Sequence, residues 1–150
     1  MTDSRSTVEQ FIAECHQRED AKGAKVEENE CSKSIIGAAI EVHRHLGPGL
    51  LEGAYELALW HELGSRGLRA IRQLRLPATY KGIELPESYR IDLLVEDIVI
   101  VEVKAVDKLA AIYGVQLLTY LRFANKRLGL LLNFHVAAMR YGVRRVVNNL

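Results

Sequence analysis

Cysteine is scarce in this chain, with only Cys15 and Cys31 in 150 residues. Two cysteines match no zinc-ligand spacing, and a single pair does not make a disulfide scaffold. No apolar run approaches the ~20 residues needed to span a membrane. The opening MTDSRSTVEQ is polar and carries no secretory signal pattern. A reducing, cytoplasmic setting is the expectation. Net charge is also small, at +1, so the overall balance selects no partner. There is no internal repeat and no low-complexity segment. With 49% hydrophobic and 26% charged residues, the composition is that of an ordinary globular protein. The length fits one domain with a real core.

Charge is unevenly spread. Residues 1–31 hold eight acids and four bases, and residues 32–150 hold eleven acids and sixteen bases. A mildly basic body fits a polyanion ligand, and equally a solvated surface. The split divides the chain into a polar N-terminal extension, 1–31, and a working domain, 32–150. Val8, Phe11, Ile12 and Cys15 fall at helical spacing in the extension, and DAKGAKVEENE reads as a linker.

Ile35, Ile36, Ala39, Ile40, Val42, His43 and Leu46 make an apolar face at period 3.6, ended by Gly47-Pro48-Gly49. A second helix is predicted over residues 51–66, with Leu51, Tyr55, Leu59 and Leu63 on one stripe. Period two takes over at residues 71–78, which predicts a strand. Residues 80–86 read as a loop or turn. Residues 89–95 and 98–103 are β-branched and apolar, and predict a hairpin. Residues 109–124 read as a helix and 128–134 as a buried strand. Val143–Val147 offers a short final strand. The order ααβββαβ points to a sheet with helices packed on it.

Charges are out of place in the hairpin IDLLVEDIVIVEVKAV. Its register decides what they do. A two-residue turn at Glu96-Asp97 turns Asp92 away from Glu102. A three-residue connection, or a bulge, places them opposite, with Lys104 on the same face. Opposed carboxylates about 5 Å apart repel by roughly 3 kcal/mol at an effective dielectric of ~20. A favourable cross-strand pair contributes only about 0.2–1 kcal/mol. A cation, a proton or Lys104 must therefore compensate. A hard oxygen site of this kind suits Mg²⁺ or Mn²⁺. Taken alone, the pattern fits better an edge hairpin whose charges face water.

Other candidates are weaker. Glu52 and Tyr55 lie one turn apart on a helix, with Glu56 beside them. Glu52 also fits a helix N-terminus whose acid complements the dipole, and Tyr55 reads as packing or as a hydrogen bond that positions the acid. His43 and His45 point to different helix faces and make a poor metal pair. His43 reads as a core or capping histidine, and His16 and His61 are isolated. Gly47-Pro48-Gly49 lacks the strand and the Gly-Lys-Ser/Thr of a phosphate loop. No Ser-His-Asp or Cys-His arrangement can be argued.

The separate pieces gain weight in combination. Ile36-Gly37-Ala38-Ala39-Ile40-Glu41-Val42-His43 and Leu46-Gly47-Pro48 precede G-x-x-E-x-x-Y at Gly49 to Tyr55. Tyr80-Lys81-Gly82, Tyr89-Arg90-Ile91-Asp92, Val101-Glu102-Val103-Lys104-Ala105, Gln116 to Leu121 and Gly129 to Phe134 follow. In this order, from Ser34 to Val147, they resemble the GxxExxY protein family, a branch of the PD-(D/E)XK nuclease superfamily. The resemblance implies an α/β, restriction-endonuclease-like fold: a mixed, mostly four-stranded sheet flanked by helices, with an αβββαβ core and here an extra leading helix. It implies that Asp92 and Glu102 are metal carboxylates, Lys104 the catalytic lysine and the Val103 carbonyl a further metal ligand. Glu52 would be an additional acid at the metal. Gln116 would be a glutamine near the site, with Tyr120 on its face. Two departures stand out. Ile91 replaces the superfamily's proline before Asp92, and His135 stands where a small residue is expected.

The resulting expectation is a Mg²⁺- or Mn²⁺-dependent nuclease hydrolysing phosphodiester bonds in DNA or RNA. The alternative is a catalytically idle nuclease-fold module that binds nucleic acid or protein. A homodimer is a further expectation, because many small nucleases pair to cut or grip a duplex.

Overall fold

The apolar face that begins at Ile35 belongs to a helix longer than its periodicity indicates. In the computed structural model, which describes residues 24–85 and 89–149, α1 spans Ala24–Leu46. It therefore starts inside the stretch read as a linker and runs through Ser32 without a break. Ala, Lys and Glu are strong helix formers, Glu27 lies in the first turn, where an acid complements the helix dipole, and Cys31 is already buried. The helical reading at Val8 to Cys15 lies outside the described residues. Helix α2, Glu52–Ser65, buries Tyr55, Glu56, Leu59 and Leu63.

Strand β1, Ala70–Arg75, follows. The segment read as a loop holds a small ribbon of β2, Thr79–Tyr80, and β3, Ile83–Glu84. Its turn uses Lys81 and Gly82 at φ 47° and 81°, the left-handed pair that a two-residue hairpin turn requires. Strands β4, Arg90–Val95, and β5, Val99–Lys104, form the predicted hairpin. Helix α3, Ala111–Ala124, crosses over to β6, Leu128–Asn133. A 3₁₀ turn at Met139–Tyr141 leads into β7, Val143–Val147.

The main sheet has five strands in the order β1-β4-β5-β6-β7. Strands β5 and β6 are parallel and the other neighbours antiparallel. This is the mixed sheet flanked by helices of a restriction-endonuclease-like α/β fold, with one strand more than the expected four and the extra ribbon. One face packs Leu93, Val95, Val99, Val101, Val103, Leu130 and Leu132 against α1 and α2. The other packs Leu94, Ile100 and Leu131 against Leu117 and Leu121 of α3. Burial on both faces explains why β6 is a continuous apolar run. No described helix is long and apolar enough to cross a membrane.

Two polar ties hold the loops at one end of the sheet. The buried Asn133 accepts from the Val106 N–H at 3.0 Å and donates to the Val106 carbonyl at 2.8 Å, which pins the segment after β5. Its own N–H donates to the Gly142 carbonyl at 2.8 Å. A Cβ on Gly142 would come within 2.0 Å of the Asn133 carbonyl oxygen. That contact is backbone, so no rotamer relieves it. Gly142→Ala is expected to destabilise the protein by about 2 kcal/mol or more, read as a lower urea midpoint with an unchanged slope.

Candidate metal centre

The hairpin connection sets the site. Pairing runs Val95↔Val99, Leu94↔Ile100 and Leu93↔Val101, which leaves Glu96, Asp97 and Ile98 as a three-residue connection. Glu96 and Asp97 adopt φ 53° and 55°, an unfavourable region for residues with a side chain. Both are anchored. The Glu96 carboxylate accepts from the Arg69 N–H at 2.7 Å, and Asp97 pairs with Lys126 at 3.0 Å in a largely buried contact. The odd-length register therefore holds, and Asp92 comes opposite Glu102.

At that position the backbone ladder stops. Instead of meeting across the strands, backbone donors turn to side chains. The Asp92 N–H donates to Glu102 Oε1 at 3.1 Å, and the Val103 N–H donates to Asp92 Oδ2 at 2.8 Å. The other edge of β4 lapses at the same point. Arg72↔Leu93 and Leu74↔Ile91 pair, but Gln73, at φ 53°, does not pair with Asp92. Asp92 thus stands where β4 parts from both neighbours.

A third acid reaches the break from α2. Glu56 is buried and accepts two hydrogen bonds from Arg72, at 3.0 and 3.3 Å. Gln73 Nε2 donates to Glu56 Oε1 at 2.5 Å and, more weakly, to Asp92 Oδ1 at 3.4 Å. Lys104 ends β5 two residues after Glu102, with its Nζ 4.7 Å from the centre of the Tyr113 ring.

Burial pushes the Asp92 carboxyl up to about 6, with the charge of Glu56 adding to the rise and the Val103 N–H and Lys104 opposing it. Burial pushes Glu102 up to about 8, reinforced by Asp92 and opposed by the Asp92 N–H and Lys104. Lys104 therefore compensates only in part. Tyr120 of α3 is raised as well, by burial and then by the charges of Glu102 and Asp92.

The structure brings Asp92, Glu102, Val103 and Lys104 together. It does not bring Glu52 to them. Glu52 is exposed in the first turn of α2, and Glu56, one turn later, is the acid that meets Asp92. A carboxylate on the apolar stripe of Tyr55, Leu59 and Leu63 was the signal for Glu56. Gln73 had no such signal, since its left-handed backbone arises from the break itself. Gln116 is exposed on α3, on the stripe that carries Tyr113 and Tyr120. Histidines stay apart: His43 Nε2 bonds the Val136 carbonyl at 2.8 Å as a buried core residue, and His135 pairs with Asp107.

Among the described residues, no three His, Cys, Asp or Glu side chains form a metal-ligand cluster. The oxygen set is instead two carboxylates plus backbone. A strand residue's N–H and C=O point to the same edge. The Val103 carbonyl therefore faces the β4 side, beyond the end of the ladder. Two carboxylates and a carbonyl fit Mg²⁺, which keeps several waters and takes few protein ligands. They fit a softer metal poorly.

The raised carboxyls have a consequence for stability. In the unfolded chain, Asp and Glu ionise near ~4, whereas folded Asp92 and Glu102 hold their protons to about 6 and about 8. Between these limits the folded state binds more protons, so stability falls as pH rises. In metal-free buffer, the part of the melting-temperature loss between about pH 6 and pH 8 should disappear in Glu102→Gln. A wild type and variant with parallel pH profiles would refute the assignment.

Residues 29–146 match a model of the PD-(D/E)XK nuclease superfamily. No match is found among curated proteins or among solved structures. The matched stretch covers well over half of the chain and contains Glu56, Gln73, Asp92, Glu102 and Lys104. The chain belongs to the PD-(D/E)XK nuclease superfamily.

Proposed function

We propose that this protein is a Mg²⁺- or Mn²⁺-dependent nuclease that hydrolyses phosphodiester bonds in nucleic acid. The observation that carries the reading is the register of β4 and β5, which sets Asp92 opposite Glu102 with Lys104 beside them. Superfamily membership supports nuclease-like chemistry, and the order of motifs from Gly49 to Phe134 supports the GxxExxY branch.

Asp92, Glu102 and the Val103 carbonyl would hold the cation. When bound, it supplies neutralisation of a phosphate oxygen and a lowered pKa for water. The residues do the remaining work. Lys104 presents an ammonium on the carboxylate face, where it orients the attacking water or meets charge developing on the phosphate. The Tyr113 ring beneath its Nζ keeps it there. Gln73 bridges Glu56 and Asp92, and the Val103 N–H holds the Asp92 carboxylate toward β5 at 2.8 Å. Arg72 neutralises Glu56 from behind, which leaves Asp92 and Glu102 as the pair still short of positive charge.

Metal and mutation separate the parts. At about ten times its Kd, Mg²⁺ should stabilise the wild type by about 1.4 kcal/mol, and Asp92→Ala should abolish the thermal shift. Lys104→Ala should keep the shift yet lose roughly 10²–10³-fold in cleavage of DNA or RNA. No thermal shift at millimolar metal, with nucleic-acid binding intact, would favour the idle module instead.

The two glutamates of α2 provide a second comparison. Glu56→Gln should weaken metal affinity or cleavage by about 10–100-fold, the usual effect of a group that orients a ligand. Glu52→Gln should change either by less than about twofold on the same reasoning. A reversed order would return the role to Glu52.

A further inference from the structure

One cluster of rings beside the carboxylates is not used by the hydrolytic reading. Tyr89 and Phe123 stack with centroids 5.4 Å apart and 26° between their planes. Tyr89 also meets Tyr120 at 5.2 Å. Tyr120 is half-buried against the apolar layer under α3. The outer pair is not: Phe123 is 45% exposed and Tyr89 38%. Tyr120 lies two turns along α3 from Tyr113, the ring under Lys104 Nζ, and Tyr89 lies three residues before Asp92, so the exposed rings stand beside the carboxylates.

The surroundings are basic. Arg122 precedes Phe123 and Arg90 follows Tyr89, both exposed. Arg75, also exposed, is in register with Arg90 across β1 and β4. Like charges opposed across two strands are unfavourable, and an anion lying over them removes that cost. A flat aromatic surface bordered by guanidinium groups matches a ligand that is itself a flat ring joined to phosphates.

We propose that the Tyr89–Phe123 pair is a stacking site for an unpaired base, and that the substrate is single-stranded nucleic acid at the point where it meets Asp92 and Glu102. Arg75, Arg90 and Arg122 carry the phosphates on either side. This rests on the hydrolytic reading above for its choice of substrate strand. In a duplex each base face is covered by its neighbours, and a base must be unstacked, at a few kcal/mol, before it can lie on a protein ring. A single strand offers its base faces freely, and aromatic stacking is tolerant of sequence.

The test is fluorescence anisotropy with a labelled oligothymidylate and a blunt-ended duplex, in EDTA so that neither is cut. The single strand should bind more tightly. Phe123→Leu should weaken it by about 5- to 100-fold and leave duplex binding unchanged, whereas Phe123→Trp should preserve it. Phe123 is exposed, so these variants should fold, and Tyr89→Leu provides an independent second reading with the same expected loss. Equal affinity for the two nucleic acids would overturn the proposal, as would Phe123→Leu binding the single strand like the wild type. So would a protein that self-associates through the rings, with Phe123→Leu restoring a monomer. Ring-dependent binding of the single strand without cleavage in Mg²⁺ would sink the hydrolytic reading and leave the stacking site standing. Duplex cleavage at full rate in Phe123→Leu would do the reverse.

Discussion

The structure turns on two carboxylates that face each other across a strand pair. Asp92 and Glu102 are brought opposite by three residues between β4 and β5, and a connection one residue shorter would have turned them to different faces. The turn that sets this register is itself unfavourable, since Glu96 and Asp97 are left-handed. Its anchors lie elsewhere in the chain, at Arg69 before β1 and Lys126 after α3. The geometry of the site thus depends on contacts at the opposite end of the hairpin.

The carboxylates could not sit in an unbroken ladder. Their side chains take the N–H groups of Asp92 and Val103, and β4 loses its partner on both edges at the same residue. Charge then spreads unequally over three acids. Arg72 closes one end of the row on Glu56. Lys104 offsets the charge of both the buried Glu102 and the half-buried Asp92, and both remain raised. The electrostatic deficit is concentrated at Asp92 and Glu102, on the β4 side that the Val103 carbonyl also faces. A divalent cation is the ligand that this distribution favours.

Much of this was legible from the residues. Helical and strand periods located α2, the hairpin, α3 and β6, because each has one or two apolar faces to bury. Charges within an apolar hairpin located Asp92, Glu102 and Lys104. The register was not legible, because both turn lengths fit the sequence and the choice lies in distant anchors. The start of α1 was hidden because a helix of charged residues resembles a linker until its buried Cys31 and Ser32 are known. Glu52 and Glu56 stand one turn apart on neighbouring stripes, and the motif drew attention to the exposed one. Gln73 could not be read at all. A glutamine within a strand pattern says nothing of the left-handed turn that tertiary contacts impose on it.

That same motif has a physical explanation once Glu56 is the acid at the site. The spacing G-x-x-E-x-x-Y begins at Gly49, whose φ of 107° suits a residue without a side chain. It ends at Tyr55, which is wholly buried. The Tyr55 hydroxyl donates to the Gly47 carbonyl and accepts from the Leu50 N–H, so it closes the turn between α1 and α2. Its ring stacks on Phe134, just beyond β6, with centroids 4.6 Å apart. Phe134 in turn donates its N–H to the carbonyl of Lys104. One side chain therefore fixes the start of α2 against the strand end that carries Lys104, and the next residue along the helix is Glu56. Moving Tyr55 would move the acid and loosen the lysine together. The tyrosine acts on the site through position alone, which is why a fully buried residue belongs to a pattern that otherwise looks catalytic.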